Sequence, residues 1–127
     1  MSWLYYELME IRGKVVSGLG EGQLYVQKYL SYFEGVLGMT CYPGTMNIKV
    51  DKIPDLGAFK KYTITPEEKD LAAVDCYMVQ INGEFDGAIV IPHKTRHGNE
   101  VVEVIAPVNL REELKLKDGD EVVCELV

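Results

Sequence analysis

Four short segments carry residue types that chemistry could use. The first is Gly18-Leu19-Gly20-Glu21-Gly22, preceded by Ser17 and the β-branched pair Val15 and Val16. Glycines let backbone N–H groups come close to phosphate oxygens, and a helix starting just beyond them adds a favourable dipole. The spacing is neither that of a Walker A loop nor G-x-G-x-x-G. A phosphate cradle and a plain tight turn both remain open. The second segment is Pro43-Gly44-Thr45-Met46-Asn47. On a strand, Thr45 and Asn47 project to one face. A hydroxyl and an amide carbonyl are hard oxygen ligands, suited to a magnesium ion that keeps waters and nucleotide phosphates. Two solvated polar residues at the start of a strand are the plainer alternative.

The third segment runs over residues 93–103. His93 and His97 stand four apart, a zinc spacing on a helix, but Pro92 and Gly98 make this a loop and weaken that reading. Thr95 and Glu103 are better candidates for hydrogen bonds to a polar ligand. Glu103 lies between Val102 and Val104, so its face depends on strand register, and ordinary solvent exposure stays open. The fourth segment is Val108-Asn109-Leu110-Arg111, where Asn109 and Glu112 have the spacing of a helix capping box. Free N–H groups there, with Arg111 alongside, could receive a base or a phosphate. Capping without function is equally compatible. Cys41, Cys76 and Cys124 are isolated, with no C-x-x-C pair, and are expected as buried apolar thiols in a reducing compartment.

The elements that must position these residues follow from periodicity. Residues 7–16 read as a strand. Residues 24–37 read as an amphipathic helix, with Val26, Tyr29, Leu30, Phe33, Val36 and Leu37 on one stripe and Gly38 at its C-terminal end. Residues 46–50 alternate as a strand, and residues 53–68, with two prolines and no clear period, read as a loop. Further strands are expected over 74–81, 87–91, 101–105 and 121–126, separated by Asn82-Gly83, Pro92, Pro107 and the turn 117–120. A short helix should open at Asn109 and run through Leu114. Many short strands with few, short helices favour a mostly β fold, a small barrel rather than a doubly wound sheet. The 127 residues are expected to form one domain.

Composition narrows the function classes. Hydrophobic residues make up 47% and charged residues 26%, enough apolar content for a core without metal or disulfide staples. The net charge of −7 argues against a nucleic-acid partner, which calls for a basic face. The opening residues carry Glu7 and lack a basic start, so no signal peptide is expected. No apolar run reaches the length of a membrane span. The expected setting is the cytoplasm.

Taken in order, these segments resemble the archaeal CTP-dependent riboflavin kinase family. The matching stretches are Gly13-Lys14-Val15-Val16-Ser17-Gly18-Leu19-Gly20-Glu21-Gly22, Tyr42-Pro43-Gly44-Thr45-Met46-Asn47 and Asp86-Gly87-Ala88-Ile89-Val90-Ile91-Pro92. They continue through Lys94-Thr95, Glu103-Val104-Ile105-Ala106-Pro107, Leu110-Arg111-Glu112 and Lys117-Asp118-Gly119-Asp120. The resemblance implies a six-stranded, cradle-loop type β-barrel that transfers the γ-phosphate of CTP to riboflavin, giving FMN and CDP. It implies that Leu19, Gly20, Glu21, Gly22, Gln23 and Leu24, with Val108, Asn109, Leu110 and Arg111, embrace the nucleotide. It implies that Thr45 and Asn47 bind magnesium and that Thr95 and Glu103 contact the flavin. Glu103, in the matching strand, is the candidate to orient or accept the proton of the riboflavin hydroxyl.

Some members of that family carry an additional N-terminal helix-turn-helix domain, for which this chain is expected to have no room. The preference for CTP over ATP comes from the resemblance alone. The expected partners are the small molecules riboflavin and CTP, with no membrane or nucleic acid, and the expected form is a monomer. The competing reading is a non-catalytic nucleotide- or flavin-binding or regulatory barrel, since residues 114–122 resemble the helix-turn-strand of several such modules. The acidic charge and the Thr45/Asn47 pair count against a DNA-binding role.

Overall fold

The computed structural model describes residues 9–18, 22–94 and 100–127. Along the chain come β1 (Glu10–Val16), α1 (Gly22–Leu37), β2 (Met46–Lys49), β3 (Tyr62–Ile64) and β4 (Val74–Ile81). They are followed by β5 (Phe85–Pro92), β6 (Val101–Ile105), α2 (Leu110–Glu113) and β7 (Glu121–Leu126). Neighbouring strands run in the order β3-β4-β5-β6-β2-β1-β7, and β7 also pairs with β4. That second pairing closes six antiparallel strands into a barrel. Strand β4 is long enough to serve two partners along one edge: residues 79–81 take β7, and residues 74–76 take β3.

Alternation along the strands separates two cores. Cross-strand rows such as Val15–Ile48–Val102 and Met46–Val104–Ile89 point into the barrel, where they join Ile81, Val122 and Cys124 in one buried cluster. The opposite faces of β4, β5 and β6 present Cys76, Val90, Ala88 and Ile105 to helix α1. Their partners on the helix are Val26, Tyr29 and Phe33, three and four residues apart, as the apolar stripe requires. Phe33 is fully buried and stacks on Tyr29 with ring centroids 5.9 Å apart. Burial of such a side chain contributes about 1.5–3 kcal/mol, so this stripe is what holds α1 against the barrel.

Turn chemistry sets the boundaries. Gly38 closes α1 at φ +67°, its N–H donating to the Glu34 carbonyl at 2.9 Å. Asn82 and Gly83 have φ of 51° and 69°, the left-handed pair that a tight β4–β5 hairpin needs. The Asn82 side-chain oxygen also accepts the Val123 N–H at 2.9 Å, tying the hairpin to β7. Asn109 caps α2 as its spacing with Glu112 predicts, accepting the Glu112 N–H at 3.2 Å.

The mostly β barrel expected from the sequence is the fold observed. The loop expected over 53–68 is corrected in part, because it contains β3. Three residues are too few to carry a period, and β3 exists because β4 extends beyond its pairing with β7. Among the described residues, no helix is long and apolar enough to cross a membrane.

Candidate functional site

Register places the polar residues. Asn47 on β2 lies directly across from Glu103 on β6, and Glu103 across from Val90 on β5, which faces Cys76 on β4. Residues opposite one another in an antiparallel ladder share a face. Val90 and Cys76 are in the cluster beneath α1, so Asn47 and Glu103 occupy that same outer face of the barrel. Thr45, two residues before Asn47, joins them: its hydroxyl donates to Glu103 Oε1 at 3.2 Å.

Gly18 and Gly22 approach this pair closely. A Cβ on Gly18 would stand 2.4 Å from Asn47 Nδ2, and one on Gly22 would stand 2.6 Å from Thr45 Oγ1. Only glycine allows the chain to pass so near. Asn47 is 8% exposed, and its Oδ1 is buried without a hydrogen-bond partner among the described residues. Among the described residues, one other buried side-chain polar atom lacks a partner, the Tyr25 hydroxyl on α1. Burial, and then the nearby charge of Glu103, push the Tyr25 phenol far above its usual range, so at neutral pH it stays protonated.

A second wall comes from α2 and the turn after it. Arg111 Nη2 pairs with Asp118 Oδ1 at 2.8 Å, and the Ser17 hydroxyl donates to Asp118 Oδ2 at 2.7 Å. The Ser17 hydrogen bond and the Arg111 guanidinium hold the Asp118 carboxyl below the usual carboxylate range. The Gly119 N–H donates to the Val15 carbonyl and the Val15 N–H to the Asp120 carbonyl, at 2.8 and 2.9 Å. Tyr42 joins this wall to the Thr45 segment, its hydroxyl accepting from Asn109 Nδ2 at 3.1 Å.

Of the residues singled out in the sequence, the fold brings together Gly22, Thr45, Asn47 and Glu103, and separately Val108, Asn109, Leu110 and Arg111. Leu110 is buried in the barrel core and Val108 is half-buried against it, so both side chains contribute to packing. Gln23 and Leu24 are exposed on the first turn of α1, Leu24 at 57%. Leu19, Gly20, Glu21 and Thr95 lie outside the described residues, as does His97. His93 is paired instead with Asp75, Nε2 to Oδ1 at 3.1 Å, and Asp75 also accepts the Thr63 hydroxyl at 2.8 Å. All three cysteines are free, buried thiols, as expected. Tyr25 and the Ser17–Asp118–Arg111 link were not anticipated. The glycine pattern marks Ser17's neighbourhood, but nothing in the sequence couples it to a residue 101 positions away.

The donor set suits one kind of cation. Among the described residues, no group of three or more His, Cys, Asp and Glu could hold a metal ion. What Thr45 and Asn47 offer is neutral hard oxygen, and the buried Oδ1 of Asn47 has no partner among the described residues and can accept from a ligand. Thr45 spends its proton on Glu103, which leaves its oxygen lone pairs for a ligand. Such a pair fits a magnesium ion that arrives with phosphates and keeps several waters.

Comparison with known proteins shows the family. Residues 15–126 match the family model for CTP-dependent riboflavin kinases, a domain described as of unknown function, DUF120. A riboflavin kinase of Pyrobaculum aerophilum is 39% identical over 97% of this chain and 64% of its own length. One from Thermococcus kodakarensis is 44% identical over 92% of this chain and 58% of its own. One from Methanosarcina barkeri is 35% identical over 94% and 57%. The chain thus spans about three-fifths of the length of the curated relatives it matches. By the extent of these matches, the chain belongs to the CTP-dependent riboflavin kinase family.

Proposed function

We propose that this chain is a riboflavin kinase that uses CTP and magnesium, transferring the γ-phosphate to the riboflavin 5′-hydroxyl to give FMN and CDP. The observation that carries the proposal is the buried, unpaired Asn47 Oδ1, held across from Glu103 and under Gly18. Phosphoryl transfer asks mainly for positioning and charge neutralisation, and these residues offer both. Thr45 and Asn47 would hold the magnesium ion, which when bound neutralises charge on the phosphates. Residues 19–24 and residues 108–111 at the opening of α2 would embrace the nucleotide, with Arg111 braced by Asp118. Glu103 orients the acceptor hydroxyl and takes its proton, and Thr95 contacts the flavin. Support for CTP as the donor is the family's name and the match over residues 15–126. The enzyme acts as a cytoplasmic monomer on free small molecules.

The test is direct. Purified protein is incubated with riboflavin, magnesium and either CTP or ATP, and flavins are separated by chromatography. FMN should form with CTP and much less with ATP. Absence of FMN with every nucleotide would refute the assignment and leave a non-catalytic binding barrel in its place.

A further inference from the structure

Tyr25 lies in the first turn of α1, three residues after Gly22. Its ring packs against Tyr29, with centroids 4.8 Å apart, and against Phe33 at 6.4 Å, so the aromatic cluster fixes the ring. The hydroxyl at its end is buried and has no hydrogen-bond partner among the described residues. Native structures seldom retain such a group without a reason. Tyr25 packs against the cluster that contains Cys76 and Val90, which share one cross-strand row with Glu103, and the charge of Glu103 acts on this phenol. The other unpaired buried polar atom among the described residues, Asn47 Oδ1, belongs to the same row, directly across from Glu103. Glu103 is therefore flanked along the row, by Asn47 on β2 and by Val90 and Cys76, against whose cluster Tyr25 packs.

We propose that Tyr25 is a further binding residue for the phosphate-accepting substrate, its hydroxyl donating a hydrogen bond to an oxygen of the substrate's polyol chain beside Glu103. The proposal rests on the riboflavin kinase reading above. In-line transfer puts donor phosphate and acceptor oxygen on opposite sides of the moving phosphoryl group. The Thr45 and Asn47 side takes the phosphates, so the acceptor approaches from the side that Tyr25 covers. A phenol that stays protonated keeps a proton to donate, and an oxygen of the polyol chain offers the lone pair to accept it. The ring's packing and the hydroxyl's binding are separable, because the aromatic contacts use only carbon.

Tyr25→Phe tests this by flavin fluorescence on the full chain. Riboflavin is compared with lumiflavin, which lacks the polyol chain, and the unfolding midpoint is recorded without ligand. Loss of one neutral hydrogen bond should weaken riboflavin binding about fivefold. Lumiflavin binding should not change, and the midpoint should not fall, since no internal hydrogen bond is removed. Unchanged riboflavin affinity, equal weakening toward both flavins, or a lowered midpoint would each overturn the role given to Tyr25. If the wild-type chain itself binds no riboflavin, the kinase reading falls together with this one. If wild type binds and Tyr25→Phe binds equally well, only the Tyr25 proposal fails.

Discussion

Substitution of Asn47 by leucine should move stability and activity in opposite directions. The two side chains have nearly the same shape, so leucine can enter the space that Gly18 leaves, where a Cβ would stand only 2.4 Å from Asn47 Nδ2. Asn47 is 8% exposed and its Oδ1 has no partner among the described residues. A buried carbonyl in that condition costs about 1–3 kcal/mol, and leucine removes it while adding apolar contact along the row. A net gain near the bottom of that range, about 1 kcal/mol, corresponds to a midpoint about 3–5 °C higher for a chain of this size. Turnover should drop at least about 100-fold, the usual scale for losing one preorganised polar contact to a reacting group. Thermal unfolding followed by circular dichroism reads the first effect, and chromatographic FMN formation at limiting magnesium reads the second. A midpoint several degrees lower would mean that Asn47 holds structure rather than a ligand. Retained turnover would remove Asn47 from the site. Asn47→Asp is the counterpart: it sets a carboxylate straight across from Glu103, and like charges in that position destabilise a ladder. Its midpoint should fall, and added magnesium should restore part of the loss.

Three further outcomes can be checked independently. Glu103→Gln should lower turnover about 10²- to 10⁴-fold, the range for losing general-base assistance, while flavin fluorescence still reports binding; near-normal turnover would remove it from proton transfer. In Gly22→Ala the added methyl would stand 2.6 Å from Thr45 Oγ1 and 3.1 Å from the Thr45 backbone nitrogen. The chain has to shift, at a cost of about 1–3 kcal/mol, so the midpoint should drop and nucleotide binding weaken; an unaffected protein would contradict the close approach. Burial pushes the Cys41 thiol up to about 11 and those of Cys76 and Cys124 up to about 12. These values lie above that of an unfolded thiol, about 8.5, so the thiols' contribution to stability is complete below that pH and is lost as pH rises toward the folded values. At neutral pH iodoacetamide should label none of the three until denaturant is added, and labelling of the folded protein, seen by mass spectrometry, would count against their burial.

How much of this was legible in the sequence depends on the range of the interaction concerned. Strands β4, β6 and β7 match their expected bounds because alternation and punctuation coincide there, at Asn82-Gly83, Pro107 and Gly119. Helix α1 was legible from the Val26, Tyr29 and Phe33 stripe and from Gly38. Strand β3 was not, since three residues carry no period and its existence depends on β4 outrunning β7. Barrel closure, which pairs residues 79–81 with 124–126, leaves no local trace either. The same division holds at the site. Thr45 and Asn47 announce a shared face through their spacing, and Gly18 and Gly22 announce a close approach. Arg111 meeting Asp118, and Asp118 meeting Ser17, could only be seen once the turn 117–120 was hydrogen-bonded back onto Val15.

Glu103 shows why register decides function here. From the sequence alone its face was ambiguous, flanked as it is by Val102 and Val104. Both valines are buried in the barrel, at 2% and 1% exposure, opposite Ile48 and Met46. A slip of one residue between β2 and β6 would carry Ile48 outward and turn Asn47 into that apolar interior, losing buried contacts on one face and stranding a polar group on the other. The polar row is thus fixed less by its own hydrogen bonds than by the parity of the apolar rows on either side. It lies on the outer face because the inner one is filled, and it is sheltered there because α1, held by Val26, Tyr29 and Phe33, covers the same face. Mutations deep in the barrel that weaken β2–β6 pairing should therefore damage the site before they unfold the chain.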